Sequence, residues 1–111
     1  MKAEWSEQAR RDLVAIFEYI AEDNPSAARR LLKRIRGSHD LLLRHPMMGR
    51  VVPEFEVANI RELIVVPYRV IYQVQLDCIL FLTVIHGRRS LRGIGPAAFI
   101  VPDDSDFADA E

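Results

Sequence analysis

Three apolar runs lie between residues 60 and 86 with only a few residues between them, and cationic side chains mark the ends of two. They read Ile60-Arg61-Glu62-Leu63-Ile64-Val65-Val66, then Pro67-Tyr68-Arg69-Val70-Ile71-Tyr72, then Ile79-Leu80-Phe81-Leu82-Thr83-Val84-Ile85, closing on His86-Gly87-Arg88-Arg89. Gaps this short join antiparallel neighbours, so the pattern predicts a small antiparallel sheet with a basic edge. Strands are expected over 60–66, 69–76 and 79–86. The last is apolar on both faces, as a central strand is. Helices would cover one face of such a sheet, and something else, a partner being one option, should cover the other, because bare apolar surface of that size is uncommon on a monomer.

Upstream the period changes. Ala9, Leu13, Ile16, Phe17 and Ile20 make one stripe at helical spacing, with Ser6 as N-cap and Glu7 near the positive end of the dipole. A helix is predicted over 7–22. Asn24 and Pro25 then suit the N-cap and first position of a second helix. Its stripe is Ala28, Leu31, Leu32, Ile35 and Leu42, with Arg29, Arg30, Lys33, Arg34 and Arg36 on the other side as a solvated face. Pro46 disfavours a helical residue before it and stops this helix near His45. Gly37 inside it weakens it by roughly 1 kcal/mol relative to alanine. So short a turn between two helices makes an antiparallel hairpin. With Lys2-Ala3-Glu4-Trp5 alternating as an edge strand, the fold class is α+β. The order is β-α-α-β-β-β, a helical hairpin packed on a small antiparallel sheet.

A chain of 111 residues makes one domain. No apolar stretch approaches the roughly 18–20 residues that span a bilayer, and the N-terminal residues lack a secretory hydrophobic region. The single cysteine, Cys78, sits among apolar neighbours as a buried, inert thiol, and a reducing cytoplasm is the expected compartment. Residues 1–102 carry 15 Lys+Arg against 11 Asp+Glu, a net of +4, and form the folded domain. Residues 103–111 add five acids and no base. This tail is expected to be a solvated, disordered segment. The alternative is that it folds back over the cationic edge as a weak internal competitor.

Turn geometry sharpens the placement of the charges. A two-residue turn at Asp77-Cys78 pairs 76 with 79 and sets Arg69 opposite His86. If the strand continues through Gly87, His86 and Arg88 share a face, so Arg69, His86 and Arg88 converge at one end of the sheet. Pairing 66 with 69 across Pro67-Tyr68 instead puts Arg61 opposite Val74, at the far end. Arginines in a cleft bind phosphate bidentately and stabilise charge developing on phosphorus. A histidine beside them could act as general acid or base for cleavage by an RNA 2′-hydroxyl. His39, His45 and His86 are scattered, so no metal site is expected, and no glycine-rich phosphate loop or Gly-x-Ser-x-Gly occurs.

These segments together resemble the RelE/ParE superfamily of type II toxin–antitoxin toxins, and its ParE-like branch in particular. The residues that carry the resemblance are Tyr19-Ile20-Ala21-Glu22-Asp23-Asn24-Pro25 with Ala27-Ala28, Pro46 with Gly49-Arg50, Arg61-Glu62-Leu63, Pro67-Tyr68-Arg69-Val70-Ile71-Tyr72 and Val84-Ile85-His86-Gly87-Arg88-Arg89. The resemblance as a whole covers roughly residues 3–92. RelE-like members resemble ribosome-dependent mRNA endonucleases that use two lysines on one strand, arginines on the next two, and a tyrosine after the last. Arg69 and Arg88 or Arg89 match the arginines. The lysine positions fall at Ile60 and Glu62, the tyrosine position near Ile94-Gly95, and no tyrosine follows Tyr72.

ParE-like relatives lack that set and are associated with inhibition of DNA gyrase. The resemblance therefore implies a plasmid-stabilising, addiction-type toxin that poisons gyrase without catalysis. Arg61, Arg69, His86, Arg88, Arg89 and Arg92 would touch the target, with no cofactor, metal or small-molecule substrate. The ribonuclease alternative would use Arg69, His86 and Arg88 on ribosome-bound mRNA; a non-catalytic nucleic-acid-binding module is a third reading. The resemblance also implies a cognate antitoxin, a segment of which fills apolar grooves along the helical hairpin and sheet.

Overall fold

Ser6 and Asn24 begin the two helices, each with its side-chain oxygen accepting from the backbone N–H three residues on, Ala9 at 3.0 Å and Ala27 at 3.1 Å. The computed structural model describes residues 1–95, 98 and 99. Its elements are β1 (Lys2–Trp5), α1 (Glu7–Asp23), α2 (Pro25–Arg44), β2 (Arg50–Val51), β3 (Ile60–Val65), β4 (Tyr68–Val74) and β5 (Cys78–His86). Pro25 opens α2 and His45, followed by Pro46, caps it. Both helices agree with the sequence expectation to within a residue or two.

The sheet is mixed, not antiparallel throughout. Its order is β1-β5-β4-β3-β2, and β1 runs parallel to β5. The two-helix hairpin between β1 and the meander is a crossover connection long enough to permit that pairing. The central position of β5 is as expected, with eight of its nine residues buried. The short strand β2 was not foreseen: two residues carry no periodicity.

One face of the sheet packs on the hairpin. Leu31, Ile35 and Leu42 of α2 meet Val70, Tyr72, Ile79 and Phe81, and Trp5 stacks on Phe81 with ring centroids 4.3 Å apart. Where β1 ends, α1 takes over the edge of β5. The Asp12 carboxylate accepts from the Thr83 hydroxyl and from the Val84 N–H at 3.1 Å. The other face was expected to be covered by something else, a partner being one option. The chain covers much of it itself: Val52, Phe55 and Val57 after β2, and Leu91, Ile94 and Phe99 after β5, pack on Ile60, Ile71, Leu80, Leu82 and Ile85. Phe99 thus packs on this surface beside Phe55, their ring centroids 6.3 Å apart. Ile100, Val101 and the acidic segment 103–111 lie outside the described residues.

Both hairpin registers differ from expectation. The first turn centres on Val66-Pro67, joined by a cis peptide, so Val65 pairs with Tyr68 and Arg61 lies opposite Tyr72 instead of Val74. In the second, the turn takes in Gln75, the 90% exposed Leu76 and Asp77, so Val74 pairs with Ile79. An irregularity between Ile71 and Tyr72 shifts the ladder again. Arg69 consequently faces Ile85, and Tyr68 faces His86. A slip of one residue reverses the face of a side chain. Arg69 and His86 are at the same end of the sheet but on opposite faces.

Candidate functional site: a cationic cleft beside a buried ion cluster

Arg69 projects from β4 onto the face away from the helices, toward Glu62 of β3. An acid within a strand that is otherwise half apolar must find a cation or stay neutral. Here Arg69 donates from Nε to Glu62 Oε2 at 2.6 Å and from Nη2 to Oε1 at 3.0 Å. The loop after β2 brings a second carboxylate. Glu54 accepts from Arg69 Nη1 and Nη2, both at 2.8 Å. The remaining Nη1 hydrogen goes to the Arg89 carbonyl at 3.0 Å. A guanidinium has five N–H donors, and all five are used inside the protein. The side chains of Arg69 and Glu62 are 6% and 0% exposed.

The electrostatics derive from that geometry. The paired hydrogen bonds from Arg69 hold the Glu54 carboxyl at a pKa of about 2, helped by the Leu91 N–H at 2.9 Å. The same contacts, Glu54 first, hold Arg69 above the ordinary guanidinium value. Glu54 is therefore ionised throughout the physiological range and is a poor base. Through Leu91 N–H and the Arg89 carbonyl, the ion cluster also fixes the segment after β5.

That segment carries the free cations. Arg50, Glu54, Arg69, Arg88, Arg89 and Arg92 line a cleft of about 570 Å³. Arg50 donates from Nε to Glu62 at 3.1 Å, yet its side chain is 61% exposed. Arg88, Arg89 and Arg92 are exposed, and among the described residues none of the three meets a carboxylate. Gly87 makes the turn possible: its N–H donates to the Pro67 carbonyl at 2.7 Å, and a Cβ there would sit 2.9 Å from that oxygen.

The six expected contact residues thus divide. Arg69, Arg88, Arg89 and Arg92 come together, with Arg69 buried beneath the other three. His86 does not join them. Its ring sits edge-on to Tyr68 at 5.8 Å, and Nδ1 accepts from the Arg88 N–H at 3.1 Å. The chain turns after His86, so Arg88 does not share a strand face with it. Arg61 is elsewhere: it donates to the carbonyls of Ala58 at 3.0 Å, Met47 at 3.2 Å and Gly49 at 3.0 Å, tying down the loop after α2. Tyr72 supports the same loop, donating to the Pro46 carbonyl at 2.9 Å and accepting from Gly49 N–H at 3.0 Å; burial pushes its phenol pKa up. Arg50 and Glu54 escaped sequence reasoning. Glu62, an acid inside an apolar strand, was the available signal of a buried ion pair.

A second surface lies on the hairpin. Trp5, Leu13, Val14, Phe17 and Leu32 line a shallow apolar groove bordered by Arg10 and Arg36. Val14 is 55% exposed. Among the described residues no helix is long and apolar enough to cross a membrane, and no group of three His, Cys, Asp or Glu could hold a metal ion.

A helical hairpin on a five-stranded sheet, with a polar cationic cleft and an apolar groove, defines a small α+β domain with two distinct surfaces. Residues 3–91 match the family model for the ParE toxin of the type II toxin–antitoxin system parDE, and the chain belongs to that family. It is 40% identical over 67 residues to Toxin RelE2 of Caulobacter vibrioides, covering 60% of this chain and 72% of that protein. It is 34% identical over 87 residues to Y4kP of Sinorhizobium fredii, covering 77% and 86%. A solved chain from the chromosomal ParDE TA system of P. aeruginosa shares the fold, with a TM-score of 0.64 and 24% identity over 78% of this chain and 95% of that one. The protein is a type II toxin of the RelE/ParE kind, and that family implies a cognate antitoxin as partner.

Proposed function

We propose that this toxin acts by binding, poisoning DNA gyrase through its cationic cleft, and does not cut RNA. The observation that carries this reading is the state of Arg69. The arginine that a RelE-like nuclease would turn toward the scissile phosphate has its five donors committed to Glu54, Glu62 and the Arg89 carbonyl. A phosphate could recruit it only by displacing a buried carboxylate. Among the described residues, general acid–base chemistry also lacks a carrier in the cleft: His86 is on the other face, and Glu54, with a pKa of about 2, stays ionised. Ile60 and Glu62 stand where the lysines would be.

Arg50, Arg88, Arg89 and Arg92 remain as a cluster suited to phosphate oxygens, which in this reading belong to the DNA that gyrase holds. His86 would lie at the border of that contact through its hydrogen bond to Arg88. The hairpin groove at Leu13, Val14, Phe17 and Leu32 is the proposed seat of the antitoxin. Its apolar lining and flanking arginines suit an amphipathic segment with acidic borders.

The name of the Caulobacter relative supports the ribonuclease reading as the alternative. One preparation decides between them. Purified toxin is added to gyrase acting on relaxed plasmid, and to translating ribosomes carrying a labelled mRNA. Loss of supercoiling with intact mRNA is expected; cleaved mRNA with normal supercoiling would overturn the proposal.

A further inference from the structure

We infer that DNA held by the cleft also lies across the flank of α2, where Arg30 and Arg34 take further backbone phosphates. The inference rests on the reading of the cleft as a phosphate site. It adds the kind of nucleic acid taken: a duplex, gripped by its backbone along two elements of the fold.

Helix α2 carries six bases, Arg29, Arg30, Lys33, Arg34, Arg36 and Arg44, against one acid, Asp40. Such a run is ordinarily a solvated face. The fold gives part of it a direction. Arg34 leans off the helix and donates from Nη1 to the Val66 carbonyl at 3.0 Å. Val66, 64% exposed, belongs to the turn between β3 and β4, and the Pro67 carbonyl of that turn accepts from the Gly87 N–H at 2.7 Å. Arg88 follows directly. Only the turn and Gly87 therefore separate the Arg34 guanidinium from Arg88, a span of roughly 10–15 Å. Arg30 is one helical turn before Arg34 on the same flank, about 6 Å along the axis. Arg36, by contrast, borders the hairpin groove. Arg30, Arg34, Arg88, Arg89 and Arg92 thus form one stripe that bends round the turn, and among the described residues no carboxylate pairs with any of them.

The chemistry of the stripe selects its ligand. Guanidinium groups spread over roughly 20 Å match several consecutive phosphates of a duplex backbone, which rises about 3.4 Å per nucleotide in each strand. Among the described residues no aromatic ring lines the cleft. A single strand is held largely by stacking its bases on such rings, and a protein partner by anchoring them in pockets. A duplex keeps its bases stacked inside and turns its phosphates outward, which is what a bare row of arginines can hold.

The test uses the full chain. Titrating a labelled duplex of about 20 base pairs between about 50 and 200 mM salt counts the phosphates engaged. Arg30→Gln with Arg34→Gln should lower the slope of log affinity against log salt by about two and weaken binding on the order of tenfold or more. Arg34→Lys keeps the charge without the guanidinium fork and should keep the slope; a loss there would mean that Arg34 only braces the turn, and would overturn the inference. Arg10→Gln with Arg36→Gln removes the same charge from the borders of the hairpin groove and should leave the slope unchanged. Equal losses in the two double variants would overturn the inference, as would tighter binding of a single strand of the same length. A urea midpoint for each variant checks that it is folded. Loss in Arg88→Gln with Arg92→Gln but none in the α2 pair would overturn the inference and leave the cleft reading standing. Loss in the α2 pair alone would overturn the cleft reading and the continuous surface with it.

Discussion

Replacing Arg69 with alanine would leave two carboxylates without their cation, one of them with no exposed side-chain surface at all. Removing one partner of a buried pair costs about 3–5 kcal/mol, because the survivor stays desolvated and charged. Arg50 would remain 3.1 Å from Glu62, but its largely exposed side chain is screened and offsets little of that. The Glu54 contact gives a similar scale. A carboxyl held at about 2 in place of 4.5 corresponds to about 3 kcal/mol of favourable interaction, on a side chain only 10% exposed. A domain of this size has about 5–15 kcal/mol of stability in total. Arg69→Ala should therefore remove about a fifth of it or more, lowering the urea midpoint by about 2 M. The triple replacement Arg69→Met, Glu62→Met and Glu54→Gln should recover much of the loss, since all three charges leave together and an amide oxygen at 54 can still accept from the Leu91 N–H. Urea unfolding followed by circular dichroism reads both. If Arg69→Ala unfolded within about 0.5 kcal/mol of the parent, the range of an ordinary surface change, Arg69 would be a free contact residue and the reasoning here would fail.

Three further outcomes rest on the same structure. Arg88→Gln and Arg92→Gln should leave stability within about 0.5 kcal/mol, yet weaken duplex binding and lower its salt slope by about one per residue, measured by titration at several ionic strengths. Glu54→Gln should destabilise most at neutral pH. Because the folded-state pKa is depressed, the contribution of Glu54 is complete above about 4.5 and fades as pH falls toward about 2, so the two unfolding curves should converge in acid. Gly37→Ala should stabilise by up to about 1 kcal/mol, as the added methyl meets nothing within 4 Å and the helix gains propensity; a thermal melt checks it.

Periodicity made much of the fold legible in the sequence. The helical stripes from Ala9 to Ile20 and from Ala28 to Leu42 gave both helices, and the apolar runs gave β3, β4 and β5. Register was not legible, because it depends on which residues make each turn, and moving one residue into the turn reverses every face. That is why Arg69 and His86 part company although both sit at the expected end. The cleft was half legible. The arginines at 88, 89 and 92 announced it, whereas Glu54 lies in a loop with no pattern to mark it. The self-covered sheet face was hidden for the same reason. Phe55, Val57, Leu91 and Ile94 are scattered apolar residues whose common destination only the folded chain reveals.

A cleft that holds phosphate without breaking it is the central claim. Covalent gyrase–DNA complexes and transcript ends can be counted in the same cells after induction of the toxin, with the triple variant Arg88→Gln, Arg89→Gln, Arg92→Gln as control. Gyrase-linked DNA breaks that rise with the toxin and are lost in the triple variant, beside unbroken transcripts, are the predicted result. New transcript ends without gyrase-linked breaks would contradict it.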